Sequence, residues 1–90
     1  MTLPAASVIV VSRHRAAALG RCLMALAQQD HPQIEVIVVA DPEGLAAAKA
    51  TGLALKRVLF DEANISAARN LGLAAAAAPV VAFIDDDAVA

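Results

Sequence analysis

The sequence predicts an α/β fold in which an open parallel sheet carries helices on both faces. Four short runs rich in valine and isoleucine alternate with segments of helical periodicity. Parallel strands that are covered on both faces are apolar nearly throughout, and such runs are typical of them. Strands that alternate with helices are joined by right-handed crossovers, so we expect a parallel sheet. The predicted strands are Ser7 to Val11, Ile34 to Val39, Arg57 to Phe60 and Val80 to Ile84.

The first helix is predicted over Ala16 to Gln29. Leu19, Cys22, Leu23 and Leu26 recur in it at i, i+3, i+4 and i+7, so they form one apolar stripe. Only a few residues separate this helix from the second strand, which gives the order strand, helix, strand.

The second helix is predicted over Leu45 to Leu55, with an interruption at Thr51 and Gly52. Residues 41–44 before it have the composition of a turn.

The third helix is expected to begin at a cap formed by Asn64 or Ser66 and to continue until Pro79. The alanine tract 74–78 is assigned to the end of this helix.

Length and composition exclude several classes of protein. Ninety residues form one small domain or part of a larger one, which excludes a two-domain enzyme. Twenty-four alanines and only two aromatic residues predict a thin core. A net charge of -2 without a basic run argues against a nucleic-acid partner.

The sequence also suggests a compartment. A single cysteine, Cys22, cannot form an internal disulfide, so we expect a cytoplasmic protein. The longest uncharged stretch, 71–84, is interrupted by Pro79 and falls short of the roughly 20 apolar residues that a membrane span needs. We therefore expect no membrane span in this chain.

The fourth strand is expected to need a partner. Val80 to Ile84 contains no lysine or proline of the kind that protects an exposed sheet edge. We expect either that the chain is the first half of a larger domain, or that the strand at 80–84 mediates self-association.

Three consecutive carboxylates, Asp85, Asp86 and Asp87, come directly after the fourth predicted strand. Like charges this close repel one another unless a cation or solvent screens them, and a divalent ion with oxygen ligands is one such cation. A solvated acidic loop is the alternative. Ligands of open α/β sheets bind at the carboxyl ends of the strands, where this triplet is expected to lie.

Compatible groups follow the other strands. Guanidinium groups suit phosphate, and a hydroxyl or carboxylate suits a base or ribose edge. With a divalent ion they predict a site for a nucleoside diphosphate, although each arginine alone also fits a solvated surface position. The candidates are Ser12, Arg13, His14 and Arg15 after the first strand, Asp41 after the second, and Arg69 with Asn70 on the helix before the fourth.

Several blocks of residues follow one another in the order and spacing of a known family. They are Val8 to Arg15; Arg21 to Leu23 with Leu26, Gln28, Pro32 and Glu35 to Asp41; Asn64 to Gly72; and Val81 to Asp87. Together they resemble the N-terminal half of family 2 glycosyltransferases of the GT-A fold, and the last block is similar to that family's DXD strand and motif. The resemblance covers nearly the whole chain. Val11, His14 and residues 40–44 depart from the family's usual proline, asparagine and Asp-Asp-Gly-Ser type of turn.

The resemblance implies a Rossmann-like open parallel sheet in the order 3-2-1-4, which is half of a GT-A domain. It also implies an inverting transferase that binds a nucleoside diphosphate sugar between the first and fourth strands, with Mn2+ or Mg2+ as cofactor. By the same resemblance, Ser12 lies at the first nucleotide loop, Asp41 near the base, Arg69 near the base or diphosphate, Asp85 near the ribose or sugar, and Asp87 on the metal with Asp85. Arg13, Arg15 and Asp86 complete the expected substrate-binding set.

The family's general base is a carboxylate from the second half of its domain. We therefore expect residues 1–90 to be the N-terminal nucleotide-binding half, and not to complete the reaction alone.

Two other functions remain open. Asp85 and Asp87 fit the nucleophile and acid of the D-x-D-x-V motif of haloacid-dehalogenase-like phosphatases, although that motif normally follows the first strand of its domain. The other alternative is a non-catalytic nucleotide-binding or assembly module that pairs through the fourth strand.

Overall fold

The computed structural model of the protein describes residues 4–28 and 33–85. The elements in chain order are β1 (Ala6–Ser12), α1 (Ala16–Ala27), β2 (Ile34–Ala40), α2 (Pro42–Ala50), β3 (Lys56–Leu59), α3 (Ile65–Ala75) and β4 (Val80–Asp85). The four strands form one sheet in the order β3-β2-β1-β4, and every pairing is parallel. The predicted fold class and the strand order 3-2-1-4 are confirmed.

Each face of the sheet has its own apolar cluster, because successive strand residues point to opposite faces. On one face, Val8, Val10 and Val38 pack with the stripe of α1. All four stripe residues predicted from the helical spacing, Leu19, Cys22, Leu23 and Leu26, are buried. On the other face, Ile9, Ile37 and Val39 pack with Ala68 of α3. Helices therefore cover both faces, as predicted.

The predicted bounds of the second helix are wrong at both ends. α2 begins with Pro42 as its first residue and Asp41 as its N-cap, so the segment read as a turn starts the helix. Proline suits this position because its missing N–H would have no intrahelical partner there. α2 ends at Ala50 because Gly52 adopts the left-handed conformation, with φ of 73°, and donates its N–H to the carbonyl of Lys49 at 3.1 Å.

The alanine tract 74–78 is divided between the end of α3 and the connection to β4. Of the two predicted cap residues, Asn64 caps α3, its Oδ1 accepting the N–H of Ala67 at 3.0 Å, and Ser66 lies inside the helix. The helix ends at Ala75, and the next residue, Ala76, has extended ψ. The prediction that the helix continues through the tract is wrong.

A polar network, of which only Ser7 is fully buried, explains that early end and closes the amino-terminal edge of the sheet. The N–H groups of Ala77 and Ala78 donate to Glu35 Oε2 at 2.6 Å and to Ser7 Oγ at 3.2 Å. Ser7 Oγ in turn donates to Glu35 Oε2 at 2.5 Å, and Lys56 Nζ lies 2.8 Å from Glu35 Oε1. Partial burial alone would raise the pKa of Glu35, but the hydrogen bonds from Lys56, Ser7 and Ala77 lower it to about 2.

The remaining differences are small. β3 begins and ends one residue earlier than predicted, and β4 continues to Asp85, so the first member of the acidic triplet belongs to the strand. α1 ends at Ala27 with Gln28 as its C-cap, so the prediction that this helix continues to Gln29 is wrong. In the part of the chain that the structure describes, no helix is long and apolar enough to cross a membrane.

Candidate functional site

A cleft of about 550 Å3 opens at the carboxyl ends of β1, β2 and β3, beside the start of α3. Its volume lies within the roughly 300–1,000 Å3 of small-molecule sites. Its walls combine apolar side chains with a few polar ones, which is the usual composition of such sites. We call it the strand-end cleft; it is lined by Val11, Ser12, Arg13, Arg15, Val39, Phe60, Glu62, Ala63, Asn64, Ile65 and Ala68.

The loop between β1 and α1 supplies three of the predicted binding residues. Ser12 is buried at the end of β1, while Arg13 and Arg15 are exposed. All three line the strand-end cleft. The structure therefore brings this part of the predicted set together around one cavity.

Asp41 holds the backbone of that loop. It is 4% exposed, and its Oδ1 accepts the N–H of His14 at 3.2 Å. His14 has φ of 59°, in the left-handed region that non-glycine residues rarely adopt. Asp41 thus stabilises a turn after β1 from its own position at the end of β2, and the residues that line the strand-end cleft do not include it.

Gly44 allows α2 to start close to this carboxylate. A Cβ at Gly44 would lie 2.8 Å from Cβ of Ala40 and 3.0 Å from Oδ1 of Asp41. Both distances are shorter than ordinary van der Waals contact. A glycine at this place is therefore required by close approach.

Asp61, which follows β3, contacts the same loop from the other side. Its Oδ1 lies 2.9 Å from Nε of Arg13 and 3.0 Å from Nε2 of His14. The hydrogen bond from His14 is the largest cause that lowers the pKa of Asp61, and Arg13 acts in the same direction against a desolvation effect. The loops after β1, β2 and β3 are thus joined through two aspartates.

Arg69 lies on α3, as predicted, and contacts β4. Its guanidinium carbon is 5.5 Å from the centre of the Phe83 ring, a distance typical of a cation–π contact. The two residues also line a small cavity between α3 and the strands. Arg69 is separate from the residues that line the strand-end cleft.

The start of the acidic triplet lies beside the end of β1. In the parallel pairing of β1 and β4, Asp85 is opposite Val11, the residue before Ser12. Asp86 and Asp87 lie outside the described residues. Within residues 4–28 and 33–85, no group of three histidine, cysteine or acidic side chains is arranged to hold a metal ion.

The sequence did not predict three polar residues of this edge. Asp61 and Glu62 were not candidates, and Asn64 was not expected to line the cleft. Asn64 was identified only as a helix cap. One signal was present, because these residues form an acidic and polar connection directly after the third strand, at the edge where ligands of such sheets bind.

An open parallel sheet with a cleft at the carboxyl ends of its strands is typical of α/β proteins that bind ligands at this edge. The model of Glycosyl transferase family 2 matches residues 7–90, and the chain belongs to this family. No curated protein matches the sequence.

Solved structures agree with the family and the fold. The mannosyltransferase PcManGT from Pyrobaculum calidifontis, in complex with GDP-Man and Mn2+, is 26% identical, with a TM-score of 0.85 over 98% of this chain and 29% of that chain. A shorter form of S. aureus TarS is 28% identical, with a TM-score of 0.76 over 91% of this chain and 27% of that chain. A longer form of TarS is 30% identical, with a TM-score of 0.72 over 91% and 16%. The chain therefore spans less than a third of the length of these relatives, and its sheet is that of GT-A glycosyltransferases.

Proposed function

We propose that the protein is the N-terminal, nucleotide-binding half of an inverting glycosyltransferase, and that it binds a nucleoside diphosphate sugar together with Mn2+ or Mg2+. The observation that carries the proposal is the pairing of Asp85 with Val11. This register brings the start of the acidic triplet next to the loop that lines the strand-end cleft. A single nucleoside diphosphate would then bind with its nucleoside in the strand-end cleft and its diphosphate near the acidic triplet.

The described residues have separate parts in this proposal. Arg13 and Arg15 offer guanidinium donors to the phosphates or the base edge, and Ser12 lies at the turn that the ligand approaches. Asp41 contributes by holding the loop through His14, and through that loop it affects binding of the base. Arg69 is proposed to contact the base or diphosphate from α3, with Phe83 supporting its guanidinium.

The metal part of the proposal depends on the chemistry of the triplet. Carboxylate oxygens are the ligands that Mg2+ and Mn2+ prefer, and the sequence offers Asp85 and Asp87 as ligands, with Asp86 on the substrate. A bound divalent ion would offset the charge that develops on the departing nucleoside diphosphate. The mannosyltransferase relative, solved with GDP-Man and Mn2+, supports the same pairing of ligand and metal here.

Calorimetric titration of the chain with GDP and with UDP, each with and without Mn2+, tests the proposal. We expect binding that depends on Mn2+, and we expect Asp87→Ala to weaken it at least about tenfold, or 1.4 kcal/mol. Glu43→Gln, at an exposed position in the first turn of α2, is the matched control and should bind like the parent. Affinity that is unchanged in Asp87→Ala would remove the metal role, and absence of nucleotide binding by the parent would refute the proposal.

A second candidate function is a non-catalytic nucleotide-binding or assembly module. The observation that favours it is the exposed edge strand: in the described sheet β4 pairs with β1 alone, and Val80 and Phe83 are 59% and 44% exposed. Such an edge can pair with a second copy of the chain. Sedimentation at increasing concentration tests this, because a stable monomer would contradict self-association through 80–84.

Two further parts of the proposal rest on the sequence. The cytoplasmic location rests on the single cysteine, Cys22. The family assignment favours a transferase over the phosphatase alternative, and formation of a phosphoenzyme would reverse that preference.

A further inference from the structure

Asp61 and Arg13 form an ion pair at the rim of the strand-end cleft. Nε of Arg13 lies 2.9 Å from Oδ1 of Asp61, and the two side chains are 41% and 43% exposed. Ion pairs this exposed contribute little to folding stability, because solvent screens them and holding both side chains carries an entropy penalty. Asp61 is therefore better understood by what it does to the orientation of Arg13.

The hydrogen bond to Asp61 comes from Nε, one of the three nitrogens of the Arg13 guanidinium. Arginine has five N–H donors, one on Nε and four on the two terminal nitrogens. Asp61 accepts from Nε, and Arg13 itself lines the strand-end cleft. The terminal nitrogens are the forked pair that matches the acceptor oxygens of a phosphate or a base edge.

The loop that carries Arg13 is held at a second point. Asp41 accepts the N–H of His14, and the His14 ring contacts the same Oδ1 of Asp61 as Arg13 does. The backbone and two side chains of the loop are therefore restrained from β2 and from the connection after β3. A long side chain that is already oriented loses less conformational freedom when a ligand binds.

We propose that Asp61 is a positioning residue, which holds Arg13 so that its terminal guanidinium nitrogens face a nucleotide in the strand-end cleft. This inference rests on the proposed function, because it requires that the cleft binds a nucleoside diphosphate. It adds a residue from the connection after β3 to the determinants of affinity. Asp61 acts through Arg13 and needs no contact with the nucleotide itself.

A double-mutant cycle measured as the dissociation constant for GDP in the presence of Mn2+ tests the inference. Asp61→Ala should raise the dissociation constant about five- to tenfold when Arg13 is present, since charged hydrogen bonds then lose their geometry. In the Arg13→Ala background the same substitution should change it less than about twofold, because the positioned group is gone. Asp61→Glu, which keeps the carboxylate, should recover part of the lost affinity.

His14 needs its own control because it shares Oδ1 of Asp61. The cycle is repeated with His14→Asn, since asparagine tolerates the left-handed conformation and the substitution removes the imidazole that contacts Asp61. The coupling between positions 13 and 61 should persist in this background. Far-UV circular dichroism and the urea midpoint of each variant should stay near those of the parent, as expected for exposed positions.

The outcomes separate the inference from the function on which it rests. If the parent binds neither GDP nor UDP with Mn2+, the proposed function fails and the inference fails with it. If the parent binds but Asp61→Ala has no effect, or has the same effect with and without Arg13, the positioning role alone is overturned.

Discussion

Gly72 and Gly20 offer a matched pair of substitutions, because both lie inside helices: Gly72 in α3 and Gly20 in α1. A Cβ at Gly72 would lie 2.5 Å from Cγ2 of Ile9 and 3.2 Å from its Cδ1. Ile9 is fully buried in β1 and has little room to move. A Cβ at Gly20 meets no heavy atom within 4 Å in the described part of the chain.

The two alanine variants should therefore change stability in opposite directions. In both helices, alanine is more favourable than glycine by about 1 kcal/mol. Gly20→Ala should therefore raise the free energy of unfolding by about 1 kcal/mol. Overpacking a closed core is destabilising by about 1–3 kcal/mol, and a contact of 2.5 Å belongs at the upper end of this range. Because the gain in helix propensity offsets about 1 kcal/mol of this penalty, Gly72→Ala should lower the free energy of unfolding by about 2 kcal/mol.

Thermal unfolding followed by far-UV circular dichroism measures both effects. For a domain of this size, 1 kcal/mol corresponds to a shift of about 4–8 °C in Tm, so Gly20→Ala should melt higher and Gly72→Ala about 8–16 °C lower than the parent. Adding Ile9→Leu to Gly72→Ala removes the branched methyl and should recover part of the loss. A Gly72→Ala variant as stable as the parent would refute the close packing of α3 on β1.

Three further predictions concern the polar contacts. Glu35→Gln should lower the free energy of unfolding at neutral pH. The lowering of the Glu35 pKa from 4.5 to about 2 corresponds to at most about 3.4 kcal/mol, and solvent around the half-exposed Lys56 reduces this contribution to about 1–2 kcal/mol. Because the folded pKa lies below the unfolded one, this contribution is complete above about pH 4.5 and is lost as the pH falls towards 2, so urea unfolding of parent and variant should converge in acid. Gly44→Ala should displace the carboxylate of Asp41 and weaken GDP binding about two- to fivefold by calorimetry, and equal affinity would contradict the role of that carboxylate in holding the loop. Asn64→Ala should remove a helix cap and reduce stability by about 1 kcal/mol in urea unfolding, whereas a neutral result would exclude a contribution of the cap.

Regular patterns made most of the fold predictable. The stripe of α1 follows from the helical repeat alone, and all its members are buried. The strand order also followed, because it was implied by the family resemblance. The prediction failed at α2, where Asp41 to Gly44 has the composition of a turn but begins a helix, because a proline that breaks a helix inside also suits its first position.

The sequence predicted at which edge of the sheet the candidate site lies, but not which side chains contact one another there. The carboxyl ends of parallel strands meet at one edge, so Ser12, Arg13 and Arg15 could be assigned to it from sequence. The partner of Arg13 could not, because Asp61 is 48 residues away along the chain and only the folded backbone brings the two together. The same holds for Glu35, a single carboxylate in an apolar strand whose partners come from three other parts of the chain.

The network at the amino-terminal edge has a consequence for how the protein is made. The N–H of Ala78 reaches the hydroxyl of Ser7 across 71 positions of sequence, so a nascent chain on the ribosome cannot close this contact until the segment before β4 has emerged. Until then Glu35 in β2 cannot accept the N–H of Ala77, and Ser7 in β1 cannot accept the N–H of Ala78. The first half of the polypeptide is therefore expected to stay open to chaperones during synthesis, and to become resistant to proteases only when residues 75–85, which include β4, are released.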